Sequence, residues 1–221
     1  MRGTIIIAIA IAFCSSAGLA DNSADIRKSA RSGDAAAQLA LARHYANEAR
    51  NARNERRARR DWNQAVEWYS KSAGQGFAEA QYELGGMYLL GDDIEKDEDL
   101  GVDWLIKAAD QGFAAAQFEI GNLHLAGAKL EQDSDLGLDF LNKAANQHHV
   151  PAQKQLGTMY FQGVGVEKDL VQAHLWFSIA GLNDDRASLG YLPTLESIMN
   201  EAQIAEAREL AGQWQAEHMG E

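Results

Sequence analysis

Apolar and small residues recur along this chain at the spacing of an amphipathic helix. In one stretch Ala80, Leu84 and Tyr88 stand four residues apart, which places them on a single helical face. Similar residues occupy the same positions thirty-six and seventy-two residues later, and a weaker copy begins at Ala37. The pattern therefore predicts the first helix of a repeating unit, present in four copies.

A second helix is predicted in each unit, and it begins at an aspartate. An aspartate carboxylate accepts the free amide hydrogens of a first helical turn, and four aspartates stand in register: Asp61, Asp97, Asp133 and Asp169. Seven residues later comes a large aromatic side chain, preceded three positions earlier by a small one, as at Ala65 and Trp68. We expect these helices to pack closely on their neighbours.

Glycine marks two further places in the repeat. Gly85, Gly121 and Gly157 fall in mid-helix, where glycine costs about 1 kcal/mol against alanine, so we expect tight backbone contact there. Gly76 and Gly112 follow the second helix as stop signals. The fourth copy has His148 instead, and we expect the turn to survive with some strain.

The repeated pattern reads A-x-x-x-[LI]-G-x-x-[YH], then D-x-x-x-[AG]-x-x-[WF], then K-[AS]-A. It resembles the Sel1-like repeat, a relative of the tetratricopeptide repeat. The resemblance implies an all-α fold, a right-handed α-solenoid of antiparallel helix pairs. It also implies a role as an adaptor in protein complexes, often in bacterial envelope or host-contact processes.

The chain divides into four segments on this interpretation. Residues 1–20 resemble a signal peptide, with Arg2, an apolar run over 5–13 and cleavage predicted after Ala20. An N-terminal arm or short helix covers 21–34, the repeats cover 35–182, and capping helices cover 183–221. In the last segment Asn200 and Gln203 resemble a capping box. The mature protein is predicted to be periplasmic or secreted, although a membrane-tethering helix is the alternative for the apolar run.

Charge and cysteine content narrow the function classes. The formal net charge is −12, which argues against nucleic-acid binding and against adsorption to anionic lipid. Cys14 is the only cysteine and lies in the predicted signal peptide, so the mature chain has no disulfide and no thiolate chemistry. We expect a monomer, without stable membrane insertion after cleavage, whose partner is another protein.

No motif predicts a catalytic, cofactor or metal site. His148 and His149 are adjacent but lie in a predicted helix-to-helix turn, and the acidic run 92–99 lacks the glycine and final glutamate of an EF-hand. His174 aligns with apolar residues of the other copies, so we expect it to be buried and structural. No Gly-x-Ser-x-Gly or Ser-x-x-Lys motif is present.

Partner contacts are predicted on the face of each first helix opposite the apolar stripe, which stacking would align along a concave surface. The candidate residues are Tyr82, Glu83, Phe118, Glu119, Asn122, Lys154 and Gln155. Tyr82 and Phe118 are possible aromatic anchors, or they pack against the neighbouring copy. An arginine-rich stretch over 50–60 adds Arg56 and Arg57 as a docking patch for an acidic partner, or as a solvated basic extension of the first helix.

The sequence thus predicts a non-catalytic protein-interaction scaffold acting in the bacterial envelope or secreted. The alternative from another class is an envelope enzyme, or an enzyme modulator, acting on cell-wall material or a β-lactam. A self-associating structural element is a third possibility.

Overall fold

The structure is a computed structural model that describes residues 23–91, 94–183 and 185–218, so the predicted signal peptide lies outside the described residues. Every regular element in these ranges is helical. The helices are α1 (Ser23–Arg31), α2 (Ala35–Arg50), α3 (Glu55–Gly74), α4 (Ala78–Leu90), α5 (Glu98–Asp110), α6 (Ala114–Ala126), α7 (Ser134–Asn146), α8 (Val150–Gln162), α9 (Leu170–Leu182), α10 (Arg186–Leu189), α11 (Leu192–Glu196) and α12 (Glu201–His218).

The chain forms two compact units, Met1–Ala116 and Gln117–Glu221. In the first unit α1 packs on α2, α2 on α3, α3 on α4, and α4 on α5. In the second unit α7 packs on α8 and α8 on α9, while α10, α11 and α12 all pack against α9. The predicted all-α fold of helix pairs is confirmed. Among the described residues, no helix is both long and apolar enough to cross a lipid bilayer.

Three of the four predicted aspartate caps are confirmed. The carboxylates of Asp97, Asp133 and Asp169 accept backbone amide hydrogens in the first turns of α5, α7 and α9. The prediction for Asp61 is wrong, because the extra residues of the first copy continue its second helix towards the N-terminus. There α3 begins at Glu55 with Asn54 as its cap, and Asp61 lies buried inside the helix.

The mid-helix glycines lie where two backbones meet, as predicted. A Cβ atom on Gly121 would lie 2.9 Å from the carbonyl oxygen of Gly137, and Gly85 has the same relation to Gly101. In the fourth copy Ala173 replaces the second glycine, and Gly157 lies instead against the ring of Phe177. In the second, third and fourth copies the first helix therefore packs on its second helix at a distance that a side chain would prevent.

The turn after each second helix requires a left-handed backbone conformation. Gly76 and Gly112 have φ angles of 86°, and His148 adopts φ 63° at the equivalent place. The expectation that the turn survives the loss of glycine is confirmed. The strain is local because a single residue adopts the left-handed region.

A glutamine in the repeated Ala-Gln pair joins successive helices by hydrogen bonds. Gln153 is fully buried, and its Nε2 atom donates to the carbonyl oxygen of Ala145 at 2.9 Å. Its Oε1 atom accepts from Asn183 Nδ2 at 3.1 Å. Gln81 makes the same two bonds in the first unit, with Ala73 and Gln111. The side chain of this glutamine therefore donates a hydrogen bond to a carbonyl at the end of the preceding helix, where packing excludes water.

The C-terminal helices α10, α11 and α12 pack against α9 and cover part of its surface. The predicted capping box is confirmed, since Asn200 and Gln203 exchange hydrogen bonds between side chains and backbone amides. His174 is buried as expected, and its Nε2 atom lies 3.2 Å from Glu196, which also binds Arg208. This polar contact links α9, α11 and α12.

Candidate functional site

An open depression lies beside α8 in the second unit. It has a volume of about 520 Å³ and is lined by Val150, Pro151, Lys154, Gln155, Thr158 and Asp185. Gln155 Nε2 donates a hydrogen bond to Asn122 Oδ1 on α6, and Lys154 Nζ lies 3.3 Å from Asp185 Oδ2. The structure thus brings three of the predicted contact residues together, Asn122, Lys154 and Gln155.

The packing of α8 explains why these polar side chains face outwards. Ala152 and Leu156 on the same helix are fully buried, so residues on the opposite face, including Lys154 and Gln155, stay partly exposed. Hydrogen bonds from Ser188 and Lys154 outweigh the burial of Asp185 and lower the pKa of its carboxyl group. The depression consequently has a lysine paired with an ionised aspartate at its edge.

Phe118 on α6 contacts a histidine at the start of α8. Its ring centroid lies 5.0 Å from that of His149, with the rings tilted by 49°. Burial lowers the pKa of His149 to about 4, so the imidazole is neutral at pH 7, and its Nδ1 atom is buried without a hydrogen-bond partner. Phe118 itself is half-buried.

The two adjacent histidines have separate surroundings. His148 Nε2 donates to the carbonyl oxygen of His218 at 3.1 Å, and its ring contacts Trp214. Within the described ranges, no three His, Cys, Asp or Glu side chains are grouped closely enough to hold a metal ion. In the acidic run, residues 92 and 93 lie outside those ranges, and Asp97 caps α5.

Glu119 lies next to Phe118 on α6 and is buried, with only 4% of the residue exposed. Its carboxyl group makes no hydrogen bond or ion pair to any described residue. Burial alone raises its pKa to about 7. Burial without a compensating cation thus favours the protonated form of this carboxyl group.

Tyr82 and Glu83 lie in the first unit and are largely buried, with 7% and 8% exposed. Tyr82 packs against Phe113 with ring centroids 5.2 Å apart. Arg43 on α2 binds Glu83 through its Nε atom at 2.8 Å and also binds Glu79. The partner-binding role of Tyr82 and Glu83 stays a prediction, and both residues have little surface with which to perform it.

The negative charge of Glu83 affects the pKa values of two neighbouring groups, the guanidinium of Arg43 and the hydroxyl of Tyr69. Burial of Arg43 would lower its pKa, but the hydrogen bonds and charges of Glu83 and Glu79 raise the pKa overall. Burial, and then the negative charge of Glu83, raise the pKa of the Tyr69 hydroxyl. Arg43 and Glu83 therefore form an ion pair that links α2 to α4, and the arginine neutralises the buried carboxylate.

Arg56 and Arg57 lie in the first turn of α3, and they differ in their contacts. Arg57 binds Glu48 at 2.7 Å and reaches Asp61 at 3.4 Å. Hydrogen bonds from Arg60 and Arg57 outweigh burial and lower the pKa of Asp61. Arg56 is exposed and, within the described ranges, makes no ion pair, as is true of Arg53 and Arg59. The stretch thus extends the second helix of its pair, and its unpaired charges face solvent.

Two contributors to these sites were missed by the sequence interpretation. Arg43 is the only charged residue in the range 35–46, and Glu79 and Glu83 follow thirty-six and forty residues later. An isolated cation on one first helix, with two acidic residues on the next, is a sequence signal that could have predicted this ion pair. Asp185 lies where the repeat pattern has already decayed, so no register predicted its approach to Lys154. Only the fold of the chain after α9 places it there.

Comparison with known proteins identifies the repeat. The Sel1 repeat family profile matches four consecutive segments, residues 35–77, 78–113, 114–149 and 150–185. A search of curated proteins finds no significant match. The predicted resemblance and the α-solenoid fold class are confirmed by the family match and by similar solved structures.

Two solved structures are similar to this chain. One is described as a protective antigen present in uropathogenic Escherichia coli strains that displays an SLR fold, with 36% identity and a TM-score of 0.72. The alignment covers 87% of this chain but 40% of the antigen, so the chain spans less than half its length. The other is a Sel1 repeat protein from Oxalobacter formigenes, with 32% identity, a TM-score of 0.53, and coverage of 57% of this chain and 95% of that one.

Proposed function

Because the chain belongs to the Sel1 repeat family, we propose that it is a non-catalytic scaffold that binds another protein through the outward faces of its first helices. Proteins of this family generally act as protein-interaction scaffolds. The proposal places the main contact on α6 and α8, with Phe118, Asn122, Lys154 and Gln155 as contact residues.

The observation that carries the proposal is the open depression on α8. Its lining combines apolar Val150 and Pro151 with the polar ends of Lys154 and Gln155. A mixture of apolar surface and orienting polar groups suits a protein interface, whose core is apolar and whose rim is polar. Repeat proteins use such outward helix faces for binding because the opposite faces form the stack.

The proposed location is the periplasm or the extracellular space. It is supported by the sequence of residues 1–20, with Arg2 followed by the apolar run over 5–13. Amino-terminal sequencing of the protein recovered from the producing cell tests this, and an N-terminus at Asp21 is expected.

Site-specific cross-linking tests the binding face. A photoreactive lysine analogue at Lys154 is expected to capture a partner protein, because this side chain lines the depression. The same analogue at Lys143 is the matched control, since it is an exposed lysine on α7, a second helix of the same unit. Adducts at neither position, or equal adducts at both, would contradict the proposed face.

The non-catalytic part of the proposal has its own test. The purified mature chain is expected to release no product from peptidoglycan fragments and to leave a chromogenic β-lactam unhydrolysed. Turnover of either substrate above the buffer rate, retained after further purification, would instead favour an envelope enzyme.

A further inference from the structure

One buried carboxylate in the second unit lacks the partner that its counterpart has in the first unit. Glu83 and Glu119 stand thirty-six residues apart, at the same position of two first helices. Both are more than nine-tenths buried. Arg43 binds Glu83 by charge-assisted hydrogen bonds, whereas Glu119 makes no polar contact with a described residue.

The repeat does not provide a second copy of this arginine. In the register that aligns Ala37 with Ala80, the residue equivalent to Arg43 is Gly86, which has no side chain to neutralise a carboxylate. Burying an uncompensated carboxylate is costly, because its charge loses hydration and gains no attraction in return. Such groups cluster at functional sites, so a buried carboxylate without a partner marks a candidate binding site.

The carboxylate oxygens of Glu119 are not completely sealed from solvent. In the described ranges, the sealed side-chain atoms without a hydrogen-bond partner are Glu83 Oε2 and His149 Nδ1, and the oxygens of Glu119 are not among them. One turn further along α6 stands Asn122, which Gln155 holds by a hydrogen bond at the edge of the depression. Phe118, the preceding residue, is only partly buried.

These groups match the chemistry of one side chain in particular. A guanidinium group offers several N–H donors in a planar fork that pairs with a carboxylate, stacks on an aromatic ring, and is weakly hydrated. Glu119, Asn122 and Phe118 provide a carboxylate, an amide oxygen and a ring on neighbouring positions of one helix. The net charge of −12 also favours the approach of a basic segment.

We propose that Glu119 is the recognition site for an arginine side chain on a basic segment of the partner protein, which takes the place that Arg43 has beside Glu83. This inference rests on the proposed scaffold function and specifies the chemistry of its partner. Asn122 and Gln155 are the polar residues beside the bound guanidinium, and the depression on α8 receives the residues that flank the arginine.

The first experiment uses a small probe, so that it does not depend on the partner. N-acetyl-L-arginine amide is titrated into the full chain while the carboxyl carbon of Glu119 and the side-chain amides of Asn122 and Gln155 are followed by NMR. N-acetyl-L-citrulline amide is the neutral control of nearly the same shape. We expect saturable shifts with the arginine derivative and binding at least about tenfold weaker with citrulline, because the contact to a charged group is lost.

Two variants separate recognition from folding. Glu119→Gln keeps the size of the side chain and is expected to remove the saturable shifts at Asn122 and Gln155. Glu131→Gln removes an exposed carboxylate from the same unit and is expected to change nothing. Thermal unfolding of both variants checks that each is folded. Equal shifts with the two probes, or unchanged binding to a folded Glu119→Gln variant, would overturn the site.

The cross-linker at Lys154 then connects this site to the partner. Capture that falls at least about tenfold in Glu119→Gln supports the inference, since a charge-assisted contact has been removed. Equal capture by wild type and Glu119→Gln leaves the scaffold function standing and refutes the arginine site. Saturable binding of the arginine probe without any captured protein supports the site and contradicts the scaffold function.

Discussion

The buried glutamates of the first helices differ in whether a cationic side chain neutralises them. Arg43 compensates Glu83, whereas Glu119 at the equivalent position of the next copy has no described partner. The difference arises from one residue, because Gly86 stands where the repeat would need another arginine. Buried charges are stable in pairs and costly alone, so the two copies should respond oppositely to substitution.

Removing the cation in the first unit should destabilise the protein. Arg43→Met leaves Glu83 buried without its cation, and we expect the free energy of unfolding to fall by about 2 kcal/mol, a value reduced because Arg43 is partly exposed. Glu83→Gln in the same background should restore most of the loss. Urea unfolding measures both, and Glu67→Gln, which breaks an exposed pair with Lys71, should change stability by less than about 0.5 kcal/mol.

The uncompensated carboxylate should make stability depend on pH. The pKa of Glu119 is about 7 in the folded protein, above its usual 4.5, so between these values the folded state binds more protons than the unfolded state. Its stabilising protonation is complete below pH 4.5 and is lost as pH rises through 7. Glu119→Gln should therefore be more stable than wild type at pH 8, by about 2 kcal/mol.

The comparison of Glu119→Gln with wild type removes contributions common to both. His149, with its pKa lowered to about 4, adds stability that is complete above its usual 6.5 and is lost as pH falls towards 4, and this slope is present in both proteins. Urea unfolding at pH 4.5 and at pH 8 measures the difference. An unchanged difference between the two pH values would show that Glu119 titrates normally.

The packing of whole helices depends on small residues and on the buried glutamine. At Gly121 two backbones approach closely, and at Gln153 one side chain joins three successive segments by hydrogen bonds. Both residues recur in register, but only the glycine was assigned a packing role from sequence. A glutamine beside an apolar stripe has no periodic signal that distinguishes a buried hydrogen-bonding role from an exposed one.

The glycine contact gives a prediction with opposite signs at two sites. Gly121→Ala places a Cβ atom 2.9 Å from the carbonyl oxygen of Gly137, so we expect stability to fall, by about 1 to 3 kcal/mol. Gly212→Ala in α12 meets nothing within 4 Å and should raise stability, by up to about 1 kcal/mol. Thermal unfolding distinguishes the two, and a stabilised Gly121→Ala variant would contradict the close backbone approach.

The buried glutamine should be costly to remove. Gln153→Ala removes two buried hydrogen bonds, although the carbonyl of Ala145 keeps the bond from the His148 amide and Asn183 Nδ2 keeps its bond to Ile179. We expect a loss of about 1 to 3 kcal/mol. Gln215→Ala, at an exposed position of α12, should stay within about 0.5 kcal/mol of wild type. Chemical denaturation measures both, and equal effects would mean that the hydrogen bonds of Gln153 add nothing to stability.

Over the whole molecule, positive charge is concentrated in a chain that is strongly acidic. The formal net charge is −12, yet Arg53, Arg56 and Arg59 lie near the start of α3, exposed and without an ion pair in the described ranges. Cations at a helix N-terminus oppose the helix dipole, so folding does not favour them there. A surface of this kind mainly accelerates the encounter with an acidic partner.

Charge reversal should reveal this surface through the rate of association. With poly-L-glutamate as the acidic probe, Arg56→Glu/Arg59→Glu should slow association about tenfold at low salt. Arg27→Glu/Lys28→Glu on α1 changes the net charge equally and should have a smaller effect. Stopped-flow mixing at low and high salt measures both, and the difference should vanish at high salt because charges are screened. Equal slowing by the two variants would remove the patch from the proposal.

The repeat, its helix pairs, three aspartate caps and the close approach at glycine could all be predicted from the sequence. These features depend on contacts that recur every thirty-six residues, so the same residues mark them in each copy. It also grouped Asn122, Lys154 and Gln155 correctly on neighbouring helices, because stacking preserves the register. The start of α3 on the N-terminal side of Asp61 was missed. The first copy has extra residues there, so these positions have no counterparts in the later copies with which to compare them.

The accessibility of the predicted contact residues, by contrast, depends on the packing of the folded chain. Tyr82 and Glu83 share a helix position with residues at the surface of other copies, but Phe113 and Arg43 cover them. Burial depends on what the neighbouring elements place against a side chain, and those residues vary between copies. For the same reason only the fold revealed that Glu119 is buried without a cation. Glu83, at the same position of the previous copy, has Arg43 as its partner and is structural, whereas Glu119 is a candidate binding site.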